Sequence, residues 1–456
     1  MVRFRTLVLL AALVPAASAL AIEPGTPDPL FGTGGTGFET VSYAPDLVQP
    51  AAAIVAADGS IYIGGGVLGQ DSVDLAGVHL LRDGSFDPGY GKVRHAIPGY
   101  TSAFADDFAL QPDGKLLVAA RVSNPASRWA VCRLRVDGDL DPDFGDVQTP
   151  GCTTPLQGEA RAIVLQSDGR IVVAGSDNFG DPSRAALIRL SSSGVLDTSF
   201  AGGDTVAVLP EELAARSSFN DLVLGPDDTL VASGSYGPQG DDQFMAARFD
   251  ADGELDESFS QDGVRLVQYT LLPPGERLNI ANGLALLPDG AVLVSGTVYV
   301  PTNGGSMPRI GIVKLDADGA LSSDFVSDGM PDGQLLIDPC VQDECDIWAS
   351  DLAVLPNGRI LLAGGARFGD LDIPTVHTLR LLPDGQLDPG WVGGNNGEFA
   401  PGLSLTFWDG FSVSDLLLQG DRPVVVGERL VPQDMLEIGA YRLAGERLFG
   451  DSLESD

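Results

Sequence analysis

Asp113–Phe144 reads DGKLLVAARVSNPASRWAVCRLRVDGDLDPDF, and its parts recur along the chain. The first part is a turn followed by an apolar strand that ends in small residues. It appears as Asp58-Gly59 before SIYIGGG, Asp113-Gly114 before KLLVAA, Asp168-Gly169 before RIVVAG and Asp227-Asp228 before TLVASG. It continues as Asp289-Gly290 before AVLVSG, Asn357-Gly358 before RILLAGG, and a degenerate Asp421-Arg422 before PVVVG. These seven copies, units 1 to 7 below, lie 55 to 68 residues apart, so the repeat is about sixty residues long.

The second part follows in units 1 to 6 as VHLLRDGSFDPGY, CRLRVDGDLDPDF, IRLSSSGVLDTSF, ARFDADGELDESF, VKLDADGALSSDF and LRLLPDGQLDPGW. Its spacing is rigid around Gly84, Gly138, Gly194, Gly253, Gly319 and Gly385. Five residues before each stands a basic residue: His79, Arg133, Arg189, Arg248, Lys314 or Arg380. Three after comes Asp87, Asp141, Asp197, Asp256 or Asp388, with Ser322 the one departure. Six after comes an aromatic: Tyr90, Phe144, Phe200, Phe259, Phe325 or Trp391.

Asp-Gly turns between short apolar runs are hairpin signals, and each unit has room for about four strands. The expected fold is therefore all-β: a seven-bladed β-propeller of four-stranded antiparallel blades. Unit 7 stops after a shortened Tyr441-Arg442-Leu443, and its missing tail is found at the other end of the chain, as Pro27-Asp28-Pro29-Leu30-Phe31-Gly32 followed by FETVSY. The ring is expected to be closed by this N-terminal strand.

At these residues the chain resembles the delta-60 repeat family of exported bacterial proteins, whose units run L-x-x-DG-K-I-hydrophobic-AG followed by RL-x-x-DG-x-LD-x-x-FG. The resemblance covers nearly all of residues 27–445. It implies a repeat β-propeller in an exported protein and assigns no catalytic residue.

Composition agrees with such a fold. The chain of 456 residues has 58 Gly and is 44% hydrophobic, enough apolar material for a large core divided by many turns. With 27 Lys+Arg against 63 Asp+Glu the formal net charge is -36. No basic stripe interrupts it, which excludes nucleic acid as a partner. Residues 1–21 read as a secretory signal peptide: Arg3 and Arg5 precede the apolar run Leu7–Val14, and Ala17-Ser18-Ala19 or Ala19-Leu20-Ala21 fits the cleavage rule. No segment has the length and apolarity of a membrane span. The expected organisation is a signal peptide at 1–21, the propeller at 22–447 and a short acidic tail at 448–456, in a monomer that is secreted or periplasmic.

Four cysteines suit an oxidising compartment. Three connectivities are open to them, of which the local pairs Cys132 with Cys152 and Cys340 with Cys345 are the most economical.

Six residues before the turn, four units carry an acid, Asp107, Asp221, Asp351 and Asp415, where the others have Ala52, Ala162 and Gly283. If the leading strand is innermost, these carboxylates ring one mouth of the central channel and are the candidate binding site for a cation or a polar ligand. The competing reading is that each accepts backbone N–H groups. Asp137 to Asp143 alternates oxygen ligands as Ca2+ requires, yet it lacks a glutamate at the twelfth position. The fixed basic and acidic residues are expected as a partly exposed ion pair within each unit, and the aromatics as packing between units. The only histidines are His79, His95 and His377, and His79 fills the repeat's basic slot, so a Ser-His-Asp site would need His95 or His377.

The function expected from the sequence is a non-enzymatic binding or scaffold module at or beyond the cell envelope, for a protein or polysaccharide ligand. The insertions around 66–76, 266–281, 299–309 and 339–349 are expected to carry specificity. The alternative is a secreted carbohydrate-active hydrolase or lyase using paired carboxylates.

Overall fold

The computed structural model describes residues 24–177, 182–209, 215–237, 241–271, 278–302, 305–325, 330–338, 345–368, 375–391, 402–406, 411–431 and 435–445. The expected signal peptide (1–21), the acidic tail (448–456) and parts of three insertions lie outside them.

Among the described residues the chain forms antiparallel sheets arranged around an axis. Each unit contributes a leading strand, two longer middle strands and a short outer one. Unit 4 is representative, with Ser217–Leu224, Leu230–Tyr236, Gln243–Phe249 and Val264–Val267 hydrogen-bonded in that order. The leading strands of successive units pack side by side around the axis, and that of unit 1, Leu47–Val55, also packs on that of unit 7, Phe411–Gln419. Middle strands are covered on both faces by neighbouring sheets, so Ile171–Asp177 is buried at every position. Small and β-branched side chains fill them for this reason.

The expectation of seven separate four-stranded blades is corrected. Five sheets are discrete four-stranded blades, formed by units 3 to 7, while units 1 and 2 share one eight-stranded sheet. The join is a parallel pairing of Val73 with Ser102, in which the Val73 N–H donates to the Thr101 carbonyl at 3.0 Å. The insertion at 66–76 extends the third strand of unit 1, Val73–Leu80, until its edge meets the leading strand of unit 2. The expected ring closure by the N-terminal strand is corrected as well. Phe38–Ser42 pairs with Met435–Arg442 and so forms the outer edge of the last sheet. The joint between the last sheet and the first is instead a packing contact, made chiefly by Leu47–Val55 against the strands of unit 7. It carries hydrogen bonds from the Ala53 N–H to Asp415 Oδ2 and from Ser414 Oγ to the Pro50 carbonyl.

The repeated Arg, Asp and aromatic form a staple that reaches across units. Arg189 Nε donates to Asp197 Oδ2 at 2.8 Å, its guanidinium lies 4.8 Å from the centre of the Phe200 ring, and its Nη1 donates to the Ala251 carbonyl of the next unit. Arg133 and Arg248 repeat the arrangement toward Ser192 and Ala317. Arg442 does so with Asp28, Phe31 and the Arg82 carbonyl. In unit 5, where Ser322 replaces the acid, Lys314 turns to Asp324, which Ser322 Oγ also contacts. Tyr90, Phe144, Phe200, Phe259 and Phe325 each pack against the turn glycine of the following unit. Gly194, at φ +87°, has no room for a side chain, since a Cβ there would lie 2.8 Å from Phe144.

The ion pair was expected to be partly exposed and confined to one unit, but the Arg189 side chain is 1% exposed. Removing one partner of such a buried pair strands the other. Arg189→Ala is therefore expected to lower the unfolding free energy by about 3–5 kcal/mol. Arg135→Ala, at an exposed turn pair, should change it by no more than about 0.5 kcal/mol. Urea titration of both variants checks this.

Candidate functional site

Every leading strand carries a β-bulge at the same place. The register slips between Pro50 and Ala52, Ala105 and Asp107, Ala160 and Ala162, and Phe219 and Asp221. It slips again between Ala281 and Gly283, Ala349 and Asp351, and Val413 and Asp415. A bulge leaves one residue outside the ladder and re-aims it. Here the residues left out are Ala51, Asp106, Arg161, Asn220, Asn282, Ser350 and Ser414. All seven line one cavity on the axis, of about 530 Å³, together with Pro50, Arg121, Ile280 and Val413.

Several of these side chains tie the mouth together. Asn220 Nδ2 donates to the Ala281 carbonyl and Asn282 Nδ2 to the Ala349 carbonyl, both at 2.8 Å, and Ser414 Oγ donates to Pro50. Each acceptor is the residue just before the next unit's bulge. Between units 2 and 3 the link is ionic: Asp106 Oδ2 lies 2.8 Å from Arg121 Nε, and its Oδ1 lies 3.9 Å from Arg161 Nη1. Burial raises the Asp106 pKa to about 6, with the two guanidinium groups opposing the shift.

The four acids singled out by spacing lie one residue further along, on the channel wall behind this mouth. Asp107 accepts the Phe108 and Ile163 N–H groups, at 2.7 and 2.8 Å. Asp221 accepts those of Leu222 and Leu284. Asp351 accepts from Leu352 and Leu416, and Asp415 from Leu416 and Ala53. Asp351 and Asp415 are also hydrogen-bonded to each other. Burial, reinforced by repulsion among the four, pushes their pKa values up, that of Asp221 to about 7.

The four acids, expected at the channel mouth, thus lie behind it, and the residues that line the mouth stand one position earlier. Their only signal was polar character at a site that varies from unit to unit. Among the described residues no group of three or more His, Cys, Asp or Glu is placed to hold a metal ion. In the loop considered for Ca2+, Asp137 Oδ1 accepts the Asp139 N–H, and Asp141 is held by Arg133 and Lys115. His377 is fully buried with its Nε2 2.9 Å from the Trp348 carbonyl, and burial lowers its pKa to about 4. His95 Nε2 lies 2.9 Å from the Gly138 carbonyl. Cys132 and Cys152 form a disulfide. Cys345 is disulfide-bonded as well, and Cys340 lies outside the described residues.

Four segments, residues 111–144, 166–200, 225–259 and 355–390, match a domain of unknown function, DUF5122, described as a beta-propeller. The chain is accordingly a repeat β-propeller protein, of the same kind as the delta-60 repeats it resembles. No curated protein matches it in sequence. Among solved structures it is similar to a catalytically inactive virginiamycin B lyase from Staphylococcus aureus with quinupristin, at 12% identity, TM-score 0.47, over 89% of this chain and 99% of that one. It is also similar to the polysaccharide lyase Uly1, at 9%, 0.46, over 88% and 90%. Drosophila Semaphorin 2a matches at 7%, 0.47, over 89% and 75%. No helix among the described residues is long and apolar enough to cross a membrane.

The ring of raised carboxylates sets the pH dependence of stability. Because the folded pKa of Asp221 lies above the unfolded value of 3.8, the folded state holds a proton that the unfolded chain releases, and stability falls as pH rises from about 4 toward 7. Asp197, held near 2 by Ser199 and Arg189, acts the other way, and its contribution is lost below about pH 4. The melting temperature is therefore expected to peak near pH 4. Asp221→Asn should flatten the fall between about pH 4 and 7 while lowering the peak, because one amide oxygen replaces two acceptors. Calorimetric scans across pH test both effects.

Proposed function

We propose that this protein is an exported, non-enzymatic binding or scaffold propeller whose ligand enters the axial mouth. The observation that carries this reading is the convergence of seven bulge side chains on one cavity. Its volume of about 530 Å³ falls within the range of small-molecule sites. The polar groups differ from unit to unit, as a ligand without sevenfold symmetry requires. Export to the periplasm or medium rests on the signal-like residues 1–21, and the Cys132–Cys152 disulfide fits an oxidising compartment.

The alternative, a carbohydrate-active enzyme with paired carboxylates, would place its chemistry on Asp351 and Asp415. Both oxygens of each already accept backbone N–H groups. Neither side chain lines the axial cavity, and this favours binding over turnover.

The test is thermal unfolding of the mature chain, residues 22–456, with a panel of sugars, small organic acids and cell-wall polysaccharides. A ligand of the native state raises the midpoint by mass action. The additive that does so should lose its effect on Ser350→Trp, which fills the mouth. A shift that persists in this variant would place the ligand elsewhere and overturn the axial reading.

A further inference from the structure

Resting on that reading, we infer that the axial cavity takes a small ligand bearing a carboxylate, which docks on Arg121 beside Arg161 while the rest of the ligand lies against Ile280, Val413 and the Asn282 amide. The cavity is asymmetric. Its cationic side comes from units 2 and 3, its apolar side from units 5 and 7, with Pro50 of unit 1 beside them.

Arg121 is held in place without using its whole donor set. Its Nε is bonded to Asp106 and its guanidinium lies 5.3 Å from the centre of the Phe104 ring. Among the described residues both Nη groups are left without a protein acceptor at the cavity wall, and the side chain is 32% exposed. Arg161 adds a second guanidinium. Its Nη2 bonds Glu159, while its Nε is shut off from solvent and has no partner. The two guanidinium groups thus face two carboxylates, Asp106 beside Arg121 and Glu159 beside Arg161. A planar pair of N–H donors in a partly desolvated wall is matched by a carboxylate, which accepts two parallel hydrogen bonds.

The acids behind the mouth do not compete for Arg121, because backbone N–H groups occupy their oxygens. In a chain with 27 Lys+Arg against 63 Asp+Glu, most arginines of the repeat are bound to the staple acids. The arginine pair on the axis lies outside that scheme and borders the cavity instead.

The experiment is isothermal titration calorimetry of the mature chain with D-glucuronate and succinate as carboxylate probes and D-glucose as the neutral control. The expected result is saturable binding of at least one carboxylate and none of glucose. Arg121→Ala should weaken that binding at least tenfold and Arg121→Lys less, because the charge remains and the fork is lost. Arg135→Ala, away from the axis, should leave it unchanged. Melting curves confirm that each variant is folded. Carboxylate binding that survives both Arg121→Ala and Arg161→Ala overturns the inference, as does the absence of binding by either acid. Glucose binding as tightly as glucuronate also overturns it. If that glucose binding is lost in Ser350→Trp, the axial reading still stands; if it persists there, the axial reading falls too.

Discussion

The structure depends on satisfying the backbone N–H groups that the bulges turn toward the axis. Each of the seven leading strands frees one such donor: Ala53, Phe108, Ile163, Leu222, Leu284, Leu352 and Leu416. A buried donor without an acceptor costs on the order of 1–3 kcal/mol. A carboxylate has two oxygens, so seven donors need at least four carboxylates. Four are present, and their places in the sequence follow from this. Units 1, 3 and 5, which lack the acid at Ala52, Ala162 and Gly283, each follow a unit that has it and are served by its second oxygen. Units 6 and 7 both carry the acid, so the Leu416 N–H is shared between Asp351 and Asp415, and one acceptor position is left over.

A second set of contacts works at the turn end of the sheets. There the guanidinium of one unit joins its own aspartate and aromatic to a carbonyl of the next. The same atoms meet in units 2, 3 and 4, and again where Arg442 meets Asp28 and Phe31, residues that lie at opposite ends of the chain. Because these groups are buried, they fix the rotation of one sheet on its neighbour. The apolar faces, filled with Ala, Val and Leu, would tolerate a range of angles. Directional bonds near the axis and at the turns leave one.

Much of this was legible in the sequence. The Asp-Gly turns announce the hairpins, and the fixed offsets to Arg, Asp and the aromatic announce the staple. The sharing of one sheet by units 1 and 2 was not, because it depends on how far Val73–Leu80 runs beyond its own hairpin, and the Gly-rich insertion before it has no register signal. The burial of the Arg–Asp pair was also hidden, since the carbonyl that Arg189 reaches belongs to Ala251, about sixty residues away and of no distinctive type. At the axis, spacing picked out Asp107, Asp221, Asp351 and Asp415 and offered main-chain amides as one reading of their partners, but not that half of those amides belong to the next unit. A bulge shifts the side-chain alternation by one, so the residues that face the cavity are those that a regular strand would have turned into a sheet interface.

That one-residue shift separates what the fold requires from what it leaves open. Within this chain the position after the bulge is restricted to Asp, Ala or Gly, because it must either cap two amides or leave room for a neighbour that does. At Gly283 the space is taken by Asp351 Oδ1 and Ser295 Oγ, 3.0 and 2.9 Å from where a Cβ would stand. The bulge position itself is Ala, Asp, Arg, Asn, Asn, Ser and Ser in the seven units. Its side chain borders the cavity rather than the carboxylates, and ionic, amide and hydroxyl groups all serve as its links to neighbouring residues. Ionic, amide and hydroxyl groups can therefore be exchanged there without disturbing the ring of carboxylates a single residue away. A propeller built in this way can change what its axis recognises while keeping the bonds that hold its sheets at one angle.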